Sequence, residues 1–134
     1  MKLYKTGIVG ESHYQRAIKD CAAGDRIKVC HEPDNPYDGL ALRVDTAYGE
    51  TIGYIAKSSW IRDAIHAEGR GIAGTIASIN RGDSGLLGVV LDVTLTDDDV
   101  AERSYQKSEP PSDNELGKRM VKALWQTLVG KKIR

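Results

Sequence analysis

The sequence predicts a mainly β domain, a small six-stranded antiparallel barrel with one or two short helices, followed by an amphipathic C-terminal helix. Three observations point there. Short runs rich in β-compatible residues alternate between apolar and polar positions. Glycine, proline, asparagine and aspartate cluster between the runs as turn signals. The connections are short, which suits a closed barrel.

The first strand falls at Leu3 to Val9, where Gly7 suits a bulge or a close backbone approach. Tyr14 to Ala23 fits a short helical turn, with Ile18 and Ala22 four apart and Gly24 as its C-terminal cap. Arg26 to His31 puts Ile27 and Val29 on one face, and Ala41 to Asp45 does the same with Leu42 and Val44. A further strand, Thr51 to Ile55, follows the turn signal Tyr48-Gly49. Ser58 or Ser59 then caps a helix running to Ala67, whose buried stripe is Ile61, Ala64 and Ile65. Gly69 and Gly71 end it. Gly71 to Asn80 and Leu86 to Thr96 pair as a hairpin around Arg81-Gly82-Asp83-Ser84-Gly85, a loop rich in residues that accept positive φ.

The barrel is assigned residues 1–99. Residues 100–134 are assigned to a polar connector containing Pro110-Pro111 and a basic amphipathic helix. Ser112 to Glu115 has capping-box spacing, and Leu116, Met120, Leu124 and Leu128 recur every four residues, opposite Lys118, Arg119, Lys122 and Gln126.

The 134 residues carry 19 basic and 19 acidic side chains, so global charge argues against tight sequence-independent DNA binding. Local patches survive this balance: Asp92 and Asp97 to Asp99 are acidic, while six Lys or Arg residues and no acid follow Glu115. No apolar run approaches the roughly 20 residues of a bilayer span, and the opening residues lack a signal-peptide core. A cytoplasmic protein with no membrane partner is expected. Cys21 and Cys30 then read as reduced thiols.

The most informative stretch is Glu32-Pro33-Asp34-Asn35-Pro36-Tyr37-Asp38-Gly39, between two strands. Proline fixes φ and biases the preceding residue toward extended geometry, so Asp34, Asn35 and Tyr37 are held in a preset display. Such a loop offers a ring face and a carboxylate together. A single-stranded DNA reader needs ring faces for base stacking and cations for phosphates, and no catalyst. The candidates are His13, Tyr14, Tyr37 and Tyr54 as rings, and Arg16, Arg43 and Lys57 as cations.

This loop and its neighbours resemble the HIRAN domain family. The resemblance rests on Val9-Gly10 followed by His13-Tyr14, on Gly24-Asp25 before Arg26 to Cys30, on the Glu-Pro-x-Asn-Pro-Tyr-Asp loop, and on Ile52-Gly53-Tyr54-Ile55 followed by Lys57. It implies an OB-like or SH3-like barrel that captures the 3′ end of single-stranded DNA without an enzymatic step or a cofactor. It also implies roles: Tyr37 stacks on a terminal base, Asp38 accepts from the terminal hydroxyl, Lys57 holds a phosphate, and His13-Tyr14 supply the aromatic pair. Asn35 belongs to the same signature. A DNA-processing partner supplying a motor, and a monomer or weak homodimer, complete the expectation. Two positions depart from the pattern, Ser12 where DNA-binding members carry Arg and Leu87 where they carry an aromatic.

Plainer roles compete. The Asn35 to Asp38 segment could serve only to turn the chain, Tyr14 and Tyr54 could be core residues, and Lys57 and Arg43 solvated charges. A protein-interaction module using the barrel or the last helix is the alternative function. Hard-cation binding by His31, Glu32, Asp34 and Asp38, or zinc binding by Cys21, Cys30, His13 and His31, lacks recognised spacing. No P-loop or nucleophile elbow is present in the sequence.

Overall fold

Isoleucine, valine and leucine at alternate positions give most strands one apolar face, and the computed structural model, which describes residues 2–105, curls those faces inward. The strands are β1 (Tyr4–Gly7), β2 (Arg26–His31), β3 (Leu42–Thr46), β4 (Thr51–Tyr54), β5 (Gly71–Arg81), β6 (Leu87–Thr96) and β7 (Ala101–Glu102). A 3-10 turn at Glu11–His13 leads into α1 (Gln15–Lys19), and α2 (Trp60–His66) follows β4. The expected C-terminal helix lies outside the described residues.

Sheet order is β1-β6-β5-β2-β3-β4, antiparallel throughout this path. Its two ends meet: the Val9 amide donates to the Tyr54 carbonyl at 2.8 Å, and the Tyr54 amide returns a bond to Val9 at 2.9 Å. Register shifts at Val44/Asp45 and at Ile76/Ser78 help the sheet bend toward this closure. Ile18, Leu42, Val44, Ile52, Ile61, Ile76, Leu91 and Val93 fill the interior, each 0 or 1% exposed.

Gly53 permits the closure. A Cβ there would stand 2.8 Å from the Val9 carbonyl oxygen and 2.8 Å from the Ile8 side chain, inside any allowed contact. The isoleucine can rotate, but the backbone oxygen belongs to the joining bridge. Gly53→Ala is expected to lower stability by about 1–3 kcal/mol, the usual cost of overpacking. Chemical denaturation would measure it, and an unchanged midpoint would show that the bridge yields cheaply.

Three features differ from the sequence expectation. A seventh strand joins the six, and it runs parallel to β2, pairing Cys30 with Ala101 and His31 with Glu102. The reason is local: β5 pairs with β2 only at Arg26 and Ile27, so the rest of that edge would be unpaired without β7. The first helix is shorter than Tyr14 to Ala23 and stops at Asp20, not Gly24. The Asp20 and Cys21 amides close the last turn on Ala17 and Ile18, while Gly24, at φ 95°, serves a later turn and donates to Ile76. Finally, β3 is buried at every position, polar ones included, because Leu42 and Val44 face the core while Arg43 and Asp45 meet a second cover.

The remaining elements follow their signals. Ser59 caps α2 by accepting from the Ile61 amide at 3.2 Å, and Ile61, Ala64 and Ile65 are buried. The long hairpin turns through Gly85 at φ 86°.

Candidate nucleic-acid interface

The loop between β2 and β3 is locked by its own side chains. Asn35 Oδ1 accepts from the amides of Tyr37 at 2.8 Å and Asp38 at 3.2 Å, and Asp38 Oδ1 accepts from the Leu40 amide at 3.1 Å. These Asx-type bonds turn the chain sharply at the tip. The far side is clamped by two imidazoles whose rings meet edge-on at 4.6 Å: His31 Nε2 lies 2.7 Å from the Gly39 carbonyl, and His66 Nε2 lies 2.9 Å from that of Leu40.

Beneath the loop sits a buried polar hub. Glu32, 0% exposed, accepts from Arg43 Nη1 at 2.7 Å, the Tyr54 hydroxyl at 2.8 Å and Asn35 Nδ2 at 3.1 Å. Arg43 also forks onto Asp45, with Nε to Oδ1 at 2.9 Å and Nη2 to Oδ2 at 3.0 Å, and Thr51 donates to Asp45 at 2.9 Å. Two carboxylates thus share one guanidinium, with hydroxyl and amide donors offsetting the surplus negative charge. Burial alone would lower the Arg43 pKa, but Asp45 and Glu32 hold it above its ordinary value.

Arg43 was expected among the phosphate partners, and the structure corrects this. Its guanidinium is committed to Glu32 and Asp45, and the residue is 8% exposed. The cation that reaches the loop tip is Arg62 of α2, which grips Asp38 bidentately at 2.7 and 2.8 Å. Burial would raise the Asp38 pKa, yet the Arg62 bonds and charge, the Leu40 amide and the Lys57 charge hold the carboxyl below its usual value. Asp38 is therefore an ionised acceptor at neutral pH.

Tyr37 stands at the tip, 79% exposed. Its amide is tied to Asn35 while its ring meets the Tyr105 ring at a centroid distance of 6.4 Å. Lys57 is exposed nearby, close enough to act on Asp38. Asn35, Tyr37 and Asp38 are thus one bonded cluster, with Arg62 gripping its carboxylate and the Lys57 charge acting on the same group.

The other rings form a second row. His13 is exposed and meets Tyr14 at 6.4 Å, and Tyr14 meets Tyr54 at 6.4 Å. Tyr14 packs on the core, and half-buried Tyr54 spends its hydroxyl on Glu32. Burial first, then Glu32 and Tyr14, push that hydroxyl well above its ordinary pKa, which keeps its proton on the donor bond. Glu32 links the rows, since it holds both Tyr54 and Asn35. Arg16 is exposed on α1. Ser12 and Leu87 line the same open groove, about 350 Å³, with Gly10, Glu11, Leu86 and Gly88 among its other walls.

Among the described residues no three His, Cys, Asp or Glu side chains gather where they could hold a metal ion. Of the loop residues considered for a hard cation, Glu32 and Asp38 are held by arginines. No helix among the described residues is long and apolar enough to cross a membrane.

A curled β-sheet that carries an exposed ring, an ionised carboxylate and two cations at one rigid rim has the make-up of a small binding domain. The family profile for the HIRAN domain matches residues 1–84. The chain belongs to the HIRAN domain family, known as nucleic-acid-binding modules. Two solved structures are similar to it, each at 18% identity, over 69% of this chain and with a TM-score of 0.49. One is the HIRAN domain of human HLTF, of which 74% is covered, and the other a protein from Lactobacillus plantarum, of which 98% is covered. Comparison with curated proteins gives no match.

Proposed function

We propose that this protein binds single-stranded DNA non-enzymatically and reads a free 3′ end at the Tyr37 rim. The observation that carries the reading is the fixed pairing of an exposed Tyr37 ring with an Asp38 carboxylate kept ionised by Arg62. A terminal base stacks on Tyr37, and stacking of this kind contributes about 1–3 kcal/mol per base. The terminal hydroxyl donates to Asp38 Oδ2, which keeps a lone pair beside the Arg62 bond, whereas Oδ1 is filled by Arg62 and the Leu40 amide. Lys57 takes the adjacent phosphate, Asn35 sets the tip, and His13, Tyr14 and Tyr54 continue the surface toward the rest of the strand. Membership of a nucleic-acid-binding family supports the same reading. With it go a place in DNA repair, replication or processing, a cytoplasmic location, and a separate DNA-processing protein to supply any motor.

Fluorescence anisotropy with oligonucleotides ending in a 3′-hydroxyl or a 3′-phosphate tests this. A hydrogen bond to a charged group is worth about 1.5–3 kcal/mol, so the hydroxyl end is expected to bind about 10- to 150-fold more tightly. Asp38→Asn should erase most of that preference while binding persists, since Arg62 is then released to face phosphates. Equal affinity for the two ends in the unaltered protein would sink end reading. An absence of binding altogether would turn the rim over to a protein partner.

A further inference from the structure

Residues 99–105 leave β6 and return along β2 to the base of the Tyr37 loop. Among the contacts that hold this strap are the β7 pairing with β2, the Arg103 amide to the His31 carbonyl at 2.8 Å, the Arg43 guanidinium to the Ser104 carbonyl at 3.4 Å, and the Tyr105 amide to Asp34 Oδ1 at 2.8 Å. Each lands on β2, on the buried hub or on the loop itself. The path ends with the Tyr105 ring set at 73° to that of Tyr37.

We infer that the strap is a working part of the interface and that Tyr105 is a positioning residue, holding the Tyr37 ring where a terminal nucleobase can stack. The inference rests on the DNA reading above. Tyr37 is tethered by its amide, which fixes its Cα but leaves χ1 and χ2 to its surroundings. At 79% exposure few surroundings exist, and among the described residues the Tyr105 ring is the aromatic contact it makes. An edge-to-face partner restricts rotation without taking both faces, so a face of Tyr37 stays open. The family match stops at residue 84, so this contribution comes from a stretch of chain beyond it. Pre-ordering a stacking ring removes part of the entropy that binding would otherwise lose.

The test uses the full chain and a 3′-hydroxyl oligonucleotide with four proteins: unaltered, Tyr105→Ala, Tyr37→Ala and the double variant. An edge-to-face aromatic pair supports an expected loss of about 2- to 12-fold in affinity for Tyr105→Ala. Tyr105→Phe should restore it, because the contact with Tyr37 is between the two rings. In the Tyr37→Ala background the second substitution should change little, and NMR should show the Tyr37 ring signals moving when Tyr105 is replaced. Should Tyr105→Ala lower the unfolding midpoint, Tyr105→Leu replaces it with the same expectations. Native affinity in Tyr105→Ala or Tyr105→Leu overturns the inference, and so does an undiminished loss in the Tyr37→Ala background, which would make Tyr105 a DNA contact in its own right. No binding by the unaltered protein would overturn the DNA reading, and this inference with it.

Discussion

Arg43→Met is expected to lower folding stability by about 3–5 kcal/mol at neutral pH, the cost of leaving buried charge without its partner. Methionine matches the length of the aliphatic stem, so the loss comes chiefly from charge. Without the guanidinium, Glu32 and Asp45 face each other's charge inside the protein, at 0% and 5% exposure. Set against a typical total of about 5–15 kcal/mol, that is a large fraction.

The pH dependence has a definite sign. In the variant both carboxyls bind protons more readily when folded than when unfolded, because burial and mutual repulsion disfavour the charged form. The folded variant therefore gains stability relative to its unfolded chain as pH falls toward the unfolded values of about 4. Its deficit against the unaltered protein should be largest at pH 7 and smaller at pH 5. Urea denaturation at both values would show this. A deficit under about 1 kcal/mol at pH 7 would mean that the hub relaxes or admits water, the outcome known for surface pairs.

Tyr37→Ala is expected to weaken single-stranded DNA binding by about 5- to 150-fold, the equivalent of the 1–3 kcal/mol that a stacked base supplies. Stability should hardly move, because the ring is 79% exposed and the bond that ties residue 37 to Asn35 comes from its backbone amide. Tyr37→Trp should keep or raise affinity, since stacking asks only for a ring face. Anisotropy together with thermal unfolding separates the cases. A variant that binds as before would remove Tyr37 from the interface, and one that loses binding only in step with its fold would make it a structural residue.

Much of the fold was legible because it rests on local signals. Alternation at Ile27 and Val29 placed β2, the Ser58-Ser59 pair placed the start of α2 to within a residue, and the glycines around Asp83 placed the long hairpin. β7 was not legible. Ala101-Glu102 is too short to show a period, and it is a strand only because β5 departs from β2. The Asn35-Pro36-Tyr37-Asp38 tip could be read from its turn chemistry, and Asn35 does hold the Tyr37 and Asp38 amides. The hub could not. Glu32 and Arg43 look like surface charges in sequence, since alternation predicts one covered face, whereas both faces are covered where β2 and β3 meet the loop and the strap. Arg62 escaped for a different reason: its pairing with Asp38 spans 24 residues and lies off the buried stripe of its helix.

The topology also orders events in time. β1 finds its neighbour in β6, and Lys5 meets Asp92, 87 positions further along the chain. During synthesis β1 is made well before β6 and waits for that partner with its backbone groups meanwhile in water. Sheets with such distant pairings nucleate slowly, because the loop entropy is lost before the contacts reward it. A nascent chain thus reaches its closed form only after β6 has emerged.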